Sequence, residues 1–581
     1  MKKLYLVYFL VTLIALSYSL TLTEGFQDSW VLESIWLPVI MILLLYLVIL
    51  IAEDRLENVA VITSVTVFVL YLLPGVKYMY LYGSTVDVAA HSSFTYAISS
   101  SGKMVWGETY SYAPGFHATV AILSQLSGIT VDRWLRIFPP LLASLVPLGV
   151  GVLCQTGRID LLTSKILLIL SIFCLPIFYT LNGTTFTSPF IVIILIIAAL
   201  RESDNRLSIH FTATLVILLV FLIFWHPPSS LLFPSVLFFV GLLSSINIGS
   251  LASIQTTKKF ISLGLIGLVG VTAYWMYDAQ YIWNKFIANI VMFINADTTP
   301  SLIPTKLFEL EFDQQLMIVL LYHARDFLYL ALALCGLAMA ISSWKKDHLN
   351  HSDKNILAIF ALVFVAFMML ILGVFIVQFG SQGYKRFLFY LVAVSFLPAG
   401  FGLSKIVLAI RNRIPAIPLN GLLFASGAVI ISISCVQLYP YQPAVPGSSN
   451  ANTPSSDPVV WLHQVNTTSQ FHAIQFGLRN LPSIQDQQLV IDYVGLRQAR
   501  LFFGASYNKS AMVRNARPKS GYILLHTPGR GGAYSEQVEY RNVEAMTDLR
   551  SREDIDTIYD NGLSFILFYP KNISALSLLE K

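Results

Sequence analysis

Apolar runs separated by short polar intervals fill the first 440 or so positions of the chain. A helix that spans a membrane needs about 20 mostly apolar residues, and on that measure the pattern predicts about thirteen of them. They fall at roughly 4–22, 35–52, 59–81, 133–154, 165–181, 187–200, 210–225, 229–247, 259–276, 326–343, 355–378, 386–404 and 418–437. Two intervals, 83–132 and 277–325, are too long to be simple turns. Within the second, the apolar spacing over 280–294 predicts an amphipathic helix lying on the membrane. After residue 438 the pattern changes. A Pro/Ser/Asn-rich stretch at 439–458 leads into a helix-like segment at 471–481 and strand-like segments at 489–494, 522–526 and 564–569. That block is long enough for one small α/β domain.

Composition narrows the class. Of 581 residues, 56% are hydrophobic and 12% charged, about half the ~25% charged residues of a soluble domain. This excludes a soluble enzyme, a disordered chain and a coiled coil, and leaves a polytopic α-helical membrane protein. The 37 Lys and Arg against 32 Asp and Glu give a net charge of +5 without any long basic run, so no nucleic-acid partner is expected. Cys154, Cys174, Cys335 and Cys435 all sit in apolar runs and imply neither a disulfide framework nor a CxxC metal site.

Lys and Arg in the short loops set the orientation. Alternate loops carry Arg158 and Lys165, Arg201 and Arg206, Lys258 and Lys259, Lys345 and Lys346, then Lys405, Arg411 and Arg413. The loops at 23–34 and 182–186 carry none. With Lys2 and Lys3, this set places the N-terminus in the cytoplasm. Loops 83–132 and 277–325, and everything after residue 440, are then outside. Asn182, Asn466, Asn508 and Asn572 stand in N-x-Ser/Thr sequons on that outer side. The first apolar run is long for a signal core and reads as an uncleaved span. The expected organisation is two additional N-terminal helices (1–58), a transmembrane module (59–438) and an extracytoplasmic α/β domain (439–581), in a multi-pass protein of the cell membrane.

Polar residues must say what such a bundle does. In the first long loop Asp87 closely follows the end of a span, and His91 comes four residues later, on the same face if the stretch is helical. A partly desolvated carboxylate at the membrane surface can work as a general base near neutral pH. The same position also suits a cap at the start of an interfacial helix, with Ser84 the other capping candidate. At Trp225-His226-Pro227-Pro228-Ser229-Ser230 two prolines break the chain between spans. His226 is left at the outer boundary, to bind an anion, orient the base or cap a helix end.

In Gln378-Phe-Gly-Ser-Gln-Gly-Tyr384-Lys385-Arg386, a polar outer loop, the basic pair runs against the charge bias of the other outer loops. Arg holds phosphate through paired hydrogen bonds, and a basic pair here also suits a snorkelling anchor to anionic headgroups. Lys285, Lys306, Glu309, Glu311, Asp313 and Arg325 in the second long loop, with Arg133 and Arg136, are individually structural and collectively a phosphate-binding rim. Arg325-Asp326 reads as an internal pair at the start of a span.

The stretch Asp87-Val-Ala-Ala-His91, followed by Tyr112-Ala-Pro114-Gly115-Phe-His117, resembles the first outer loop of the C-type glycosyltransferases. These are integral membrane enzymes that take sugars from polyprenyl-linked donors; protein O-mannosyltransferases, oligosaccharyltransferases and aminoarabinose transferases belong among them. In that class a span ends in an acidic residue and two loop-embedded helices follow, which implies here a second surface helix over 115–128. The resemblance covers about 59–410 in architecture, with the second long loop after the seventh span of the module. It departs in detail. No Trp-Trp-Asp motif stands in the C-terminal block, and Val88 rather than Glu follows Asp87, so no specific activity carries over.

The resemblance implies an inverting transfer of a sugar from a polyprenyl-phosphate-linked donor to a protein, glycan or lipid acceptor on the extracytoplasmic face. Asp87 would be the base, with His91 beside it. Arg386, Lys385 and His226 would hold the donor phosphate, and Glu108, Tyr112, His117 and Glu309 would serve the acceptor or the loops. The preferred expectation is that no metal takes part; Asp87, His91, Glu108 and His117 form the alternative divalent-metal set. Walker A, dinucleotide-binding, HExxH and Gly-x-Ser-x-Gly patterns are all missing, so ATP is not expected to act through this chain. Two other readings compete: a transporter or flippase for lipid-linked or other anionic substrates, which calls for mid-span charges and broken helices, and a non-catalytic partner in glycan assembly.

Overall fold

A computed structural model describes residues 29–53, 55–77, 87–104, 111–156, 159–175, 183–203, 208–245, 254–294, 312–344, 360–368 and 380–435, and seven strands beyond them. The helices are α1 (Ser29–Glu53), α2 (Leu56–Lys77), α3 (Asp87–Ser101), α4 (Gly115–Ser127), α5 (Val131–Thr156), α6 (Leu161–Ser171), α7 (Gly183–Ser203), α8 (Ser208–Trp225), α9 (Pro227–Ser245), α10 (Ile254–Tyr277), α11 (Gln280–Ile294), α12 (Phe312–Trp344), α13 (360–368), α14 (Gly380–Arg413) and α15 (Leu419–Cys435). Among the described residues, Arg133–Thr156, Phe260–Tyr277, Ala324–Ser342 and Phe389–Arg413 are long and apolar enough to cross a membrane, and shorter apolar helices accompany them. The chain is a helical membrane protein.

Several elements differ from expectation, and the expected helices at 4–22 and 471–481 lie outside the described residues. α12 starts at Phe312, inside the expected loop 277–325, because the stretch from Phe312 to the span holds no Gly or Pro to stop it. α14 starts at Gly380, so Lys385 and Arg386 stand in its second turn rather than in a loop. A helix satisfies its own backbone, which favours it wherever water is scarce. α6 stops at Ser171 instead of continuing to about 181. A turn follows, and Pro176 disfavours helical backbone at Leu175. Asp160 starts α6 by accepting from the Thr163 backbone N–H at 2.9 Å.

α6 is the axis of the bundle. Every residue from Leu162 to Leu175 is buried, and α5 and α14 pack on it. Around it, helices close where one of them carries glycine. A Cβ on Gly402 would lie 2.5 Å from the Leu332 carbonyl oxygen, and one on Gly336 would strike the Pro398 carbonyl, so α12 and α14 touch backbone to backbone. Gly264 of α10 does the same against the Phe238 backbone of α9, and Gly267 receives the Pro234 ring. Small residues at crossings are how apolar helices gain packing in lipid, where burial alone gives no drive. α1 packs on α15, with Gly427 receiving Val48. The buried Lys165 ammonium donates to the Ala52 carbonyl at the end of α1.

The strands form their own unit: β1 (Gln488–Ile491), β2 (Ala511–Met512), β3 (Gly521–His526), β4 (Tyr534–Ser535), β5 (Val538–Glu539), β6 (Asp556–Asp560) and β7 (Ser564–Tyr569). Five of them make a mixed sheet in the order β2-β1-β3-β7-β6, parallel from β2 to β3 and antiparallel beyond, while β4 and β5 pair separately. β1, β3 and β7 stand where strands were expected. β2 and β4–β5 are two-residue pairings without a readable alternation.

Replacing Gly336 by Val is expected to force α12 from α14 and destabilise the fold by about 2–3 kcal/mol, the scale of overpacking. Thermal unfolding in detergent checks this, with Leu334→Ala, at a half-exposed position of the same helix, expected to change little.

Candidate functional site

The helix starting at Asp87 and the helix starting at Gly115 form a hairpin, as the first-loop pattern expects. Asp87 is the first residue of α3. Pro114 precedes α4, and Gly115 is needed for a spatial reason. A Cβ there would stand 2.8 Å from the Phe224 carbonyl oxygen, so only glycine lets α4 rest on the end of α8. The hairpin closes on its two histidines. His91 Nδ1 and His117 Nε2 are 2.8 Å apart, with the rings stacked at 5.0 Å and 21°, and both side chains are buried. One proton must lie between those nitrogens, since two bare lone pairs would repel.

Apolar surroundings hold both imidazoles neutral. Phe94 meets the His117 ring edge-on at 4.9 Å, and Phe116 meets the His91 ring edge-on at 6.2 Å. Burial pushes His91 down to about 3. His117 lies well below the ordinary 6.5, first through burial and then through repulsion by His91, against a smaller opposing pull from the Ala113 backbone.

The break between α8 and α9 lies against this hairpin. Trp225, buried at the end of α8, stacks on Phe190 at 5.3 Å and 9° and meets Phe116 edge-on at 5.7 Å. That aromatic clamp joins α4, α7 and α8 and fixes the next residue, His226. His226 is buried, and its Nδ1 lies 2.6 Å from Ser229 Oγ, which lies 2.6 Å from the Tyr390 hydroxyl of α14. Arg386 lies one helical turn before Tyr390.

A third joint ties in the second long loop. Tyr112 stacks on Tyr281 of α11 at 5.9 Å and 17°, and its backbone carbonyl accepts from the Tyr274 hydroxyl of α10 at 3.2 Å. Beside the end of α6, Arg325 donates from Nε and Nη2 to Asp326 Oδ1 at 3.0 and 2.6 Å, and from Nη1 to the Leu175 carbonyl at 2.9 Å. The expected internal pair is therefore present, fully buried.

Of the site residues expected from sequence, His91 and His117 form one pair. His226 is coupled to the helix that carries Lys385 and Arg386, and Tyr112 bridges the two long loops. Glu108 and Glu309 lie outside the described residues. Among the described residues no three His, Cys, Asp or Glu side chains gather as a metal site. Ser229 and Tyr390 were missed. Ser229 stands in the proline motif already singled out, whereas Tyr390 gives no local signal, being one more aromatic in an apolar run.

No family model matches this chain, and neither does any curated protein. Among solved structures it is similar to the oligosaccharyltransferase of Archaeoglobus fulgidus tethered with an acceptor peptide, at 12% identity and a TM-score of 0.43 over 80% of this chain and 69% of the other. It is also similar to ArnT from Cupriavidus metallidurans in the apo state, at 9% identity and a TM-score of 0.46 over 88% of this chain and 97% of the other. Both are C-type glycosyltransferases, the class that the first-loop motif resembles.

The neutral histidine pair sets a pH dependence. An unfolded histidine takes up its proton near 6.5, while these two refuse it in the fold, His91 down to about 3. Their contribution is complete above about 6.5 and falls as pH drops below it, on the order of 1 kcal/mol per histidine per pH unit. Hydrogen exchange over 115–127, corrected for intrinsic rates, is expected to rise between pH 7.5 and 5.5. In His117→Phe the pH-dependent part is expected to shrink by about half, since one of two groups is gone.

Proposed function

We propose that this chain is an inverting membrane glycosyltransferase of the C type, transferring a hexosyl or pentosyl unit from a polyprenyl-phosphate-linked donor to an acceptor at the extracytoplasmic face. One observation supports the reading: the hairpin that begins at Asp87 and holds the His91–His117 pair rests through Gly115 on the end of α8, next to His226, whose hydrogen-bonded chain reaches Tyr390 of α14, one turn after Arg386.

In the proposed reaction Asp87 takes the proton of the acceptor hydroxyl, with His91 beside it. The freed oxygen attacks the anomeric carbon from the face opposite the phosphate. The carbon–oxygen bond to phosphate breaks and polyprenyl phosphate leaves, its growing charge met by Arg386, Lys385 and His226. Such donors deliver their charge where it develops, which is the largest single source of stabilisation in group transfer. Glu108, Tyr112, His117 and Glu309 are assigned to the acceptor or the loops, and the module 59–438 performs the chemistry without a metal. The block 439–581, on the outer side of the cell membrane, binds the protein, glycan or lipid acceptor. The N-terminus is cytoplasmic.

Mass spectrometry of surface glycoproteins and glycolipids from a deletion strain tests this. Wild type is expected to restore a defined sugar mass, and Asp87→Asn at equal membrane level to give about 1% of it or less, the scale of a lost general base. Equal restoration by both would leave Asp87 as a helix cap and end the reading.

A further inference from the structure

The three-residue chain His226–Ser229–Tyr390 can run in either direction, and the acidities of its groups favour one. Three elements contribute to it: the residue between α8 and α9, the first turn of α9, and the first third of α14. All three side chains are buried. Ser229 Oγ has a neighbour on each side at 2.6 Å, and its one hydroxyl proton can point only one way. A phenol is more acidic than an aliphatic alcohol and so the better donor, while a neutral imidazole nitrogen is the best acceptor of the three groups. The favoured order is therefore Tyr390 O–H donating to Ser229 Oγ, and Ser229 O–H donating to His226 Nδ1.

That order fixes the tautomer of the histidine. With Nδ1 accepting, the single ring proton of neutral His226 resides on Nε2. We infer that Tyr390, acting through Ser229, is a positioning residue that makes His226 Nε2 a hydrogen-bond donor for a phosphate oxygen. The inference rests on the donor-phosphate role proposed above for His226. It adds what that role lacked. In the opposite tautomer Nε2 would present a lone pair to an anionic oxygen and repel it, so the relay decides between attraction and repulsion at one atom. It also ties the α8–α9 break to α14 one turn from Arg386, so that the two groups assigned to the phosphate keep a fixed spacing.

The test is 15N NMR of protein labelled at histidine, with His226 assigned by the signal lost in His226→Gln. Wild type is expected to show a pyridine-type Nδ1 and a pyrrole-type Nε2 at His226. Tyr390→Phe, which keeps ring volume and removes only the hydroxyl, is expected to turn this into a tautomer mixture. Sugar transfer in the complemented strain is expected to drop about tenfold, the scale of one buried hydrogen bond. A pyrrole-type Nδ1 in wild type overturns the inference. So does a Tyr390→Phe protein whose tautomer is unchanged, whatever its melting temperature. If His226→Gln transfers sugar as well as wild type, the phosphate role of His226 fails instead, and the NMR result still judges the relay on its own.

Discussion

A helix that ends inside an apolar bundle leaves its last carbonyls without water, and the rest of this structure is arranged around that problem. α6 has only eleven residues, and every one after Leu161 is buried. Each unmet backbone group in such surroundings costs several kcal/mol, on the order of a lost hydrogen bond in hydrocarbon. Here they are met from other elements. The Leu170 carbonyl accepts from the Tyr329 hydroxyl at 2.6 Å, and the Leu175 carbonyl accepts from Tyr71 at 3.1 Å and Arg325 at 2.9 Å. Arg325 is in turn neutralised by its neighbour Asp326. Removing either charge alone would strand the other in the core, at about 3–5 kcal/mol.

The consequence of that early stop is a pole where irregular backbone is tolerated. The end of α6 meets α2 through Tyr71 and the middle of α12 through Arg325, while the α3–α4 hairpin rests on the end of α8, just before the break into α9. Aromatic rings do the holding: Trp225 against Phe116 and Phe190, Tyr112 against Tyr281. The His91–His117 pair and the His226–Ser229–Tyr390 chain are buried and hydrogen-bonded, so a proton on one ring nitrogen or another changes what the site can attract. Low dielectric makes each of those choices matter more than it would in water.

Much of this was legible in the chain. Helices longer than four turns announce themselves by composition, the helix at 280–294 follows from spacing, and the two helices after Asp87 are implied by the resemblance of the first long loop. Pro227-Pro228 and Gly115 mark the break and the close approach by chemistry that only those residue types possess. What could not be read has a common cause. Tyr390, Tyr329 and Tyr71 lie 161, 159 and 104 residues from the groups they bind, and an aromatic residue in an apolar run carries no mark of a distant partner. The early end of α6 was hidden as well, because apolar periodicity continues past Ser171 while Pro176 acts on the residue before it. The start of α14 was hidden by Gly380 and Gly383, which read as loop in isolation.

The contact between Val48 of α1 and Gly427 of α15 joins positions about 380 residues apart. During synthesis α1 emerges near the beginning and its partner near the end of the helical part. At about 5–20 residues per second, that separation leaves α1 without its neighbour for roughly 20–80 s. Through that interval the apolar flank that later receives α15 is lined by lipid or by the insertion machinery. The contact is therefore among the last of the helical part to form, and a ribosome stalled anywhere before residue 427 leaves α1 held by α2 and α6 but without this partner.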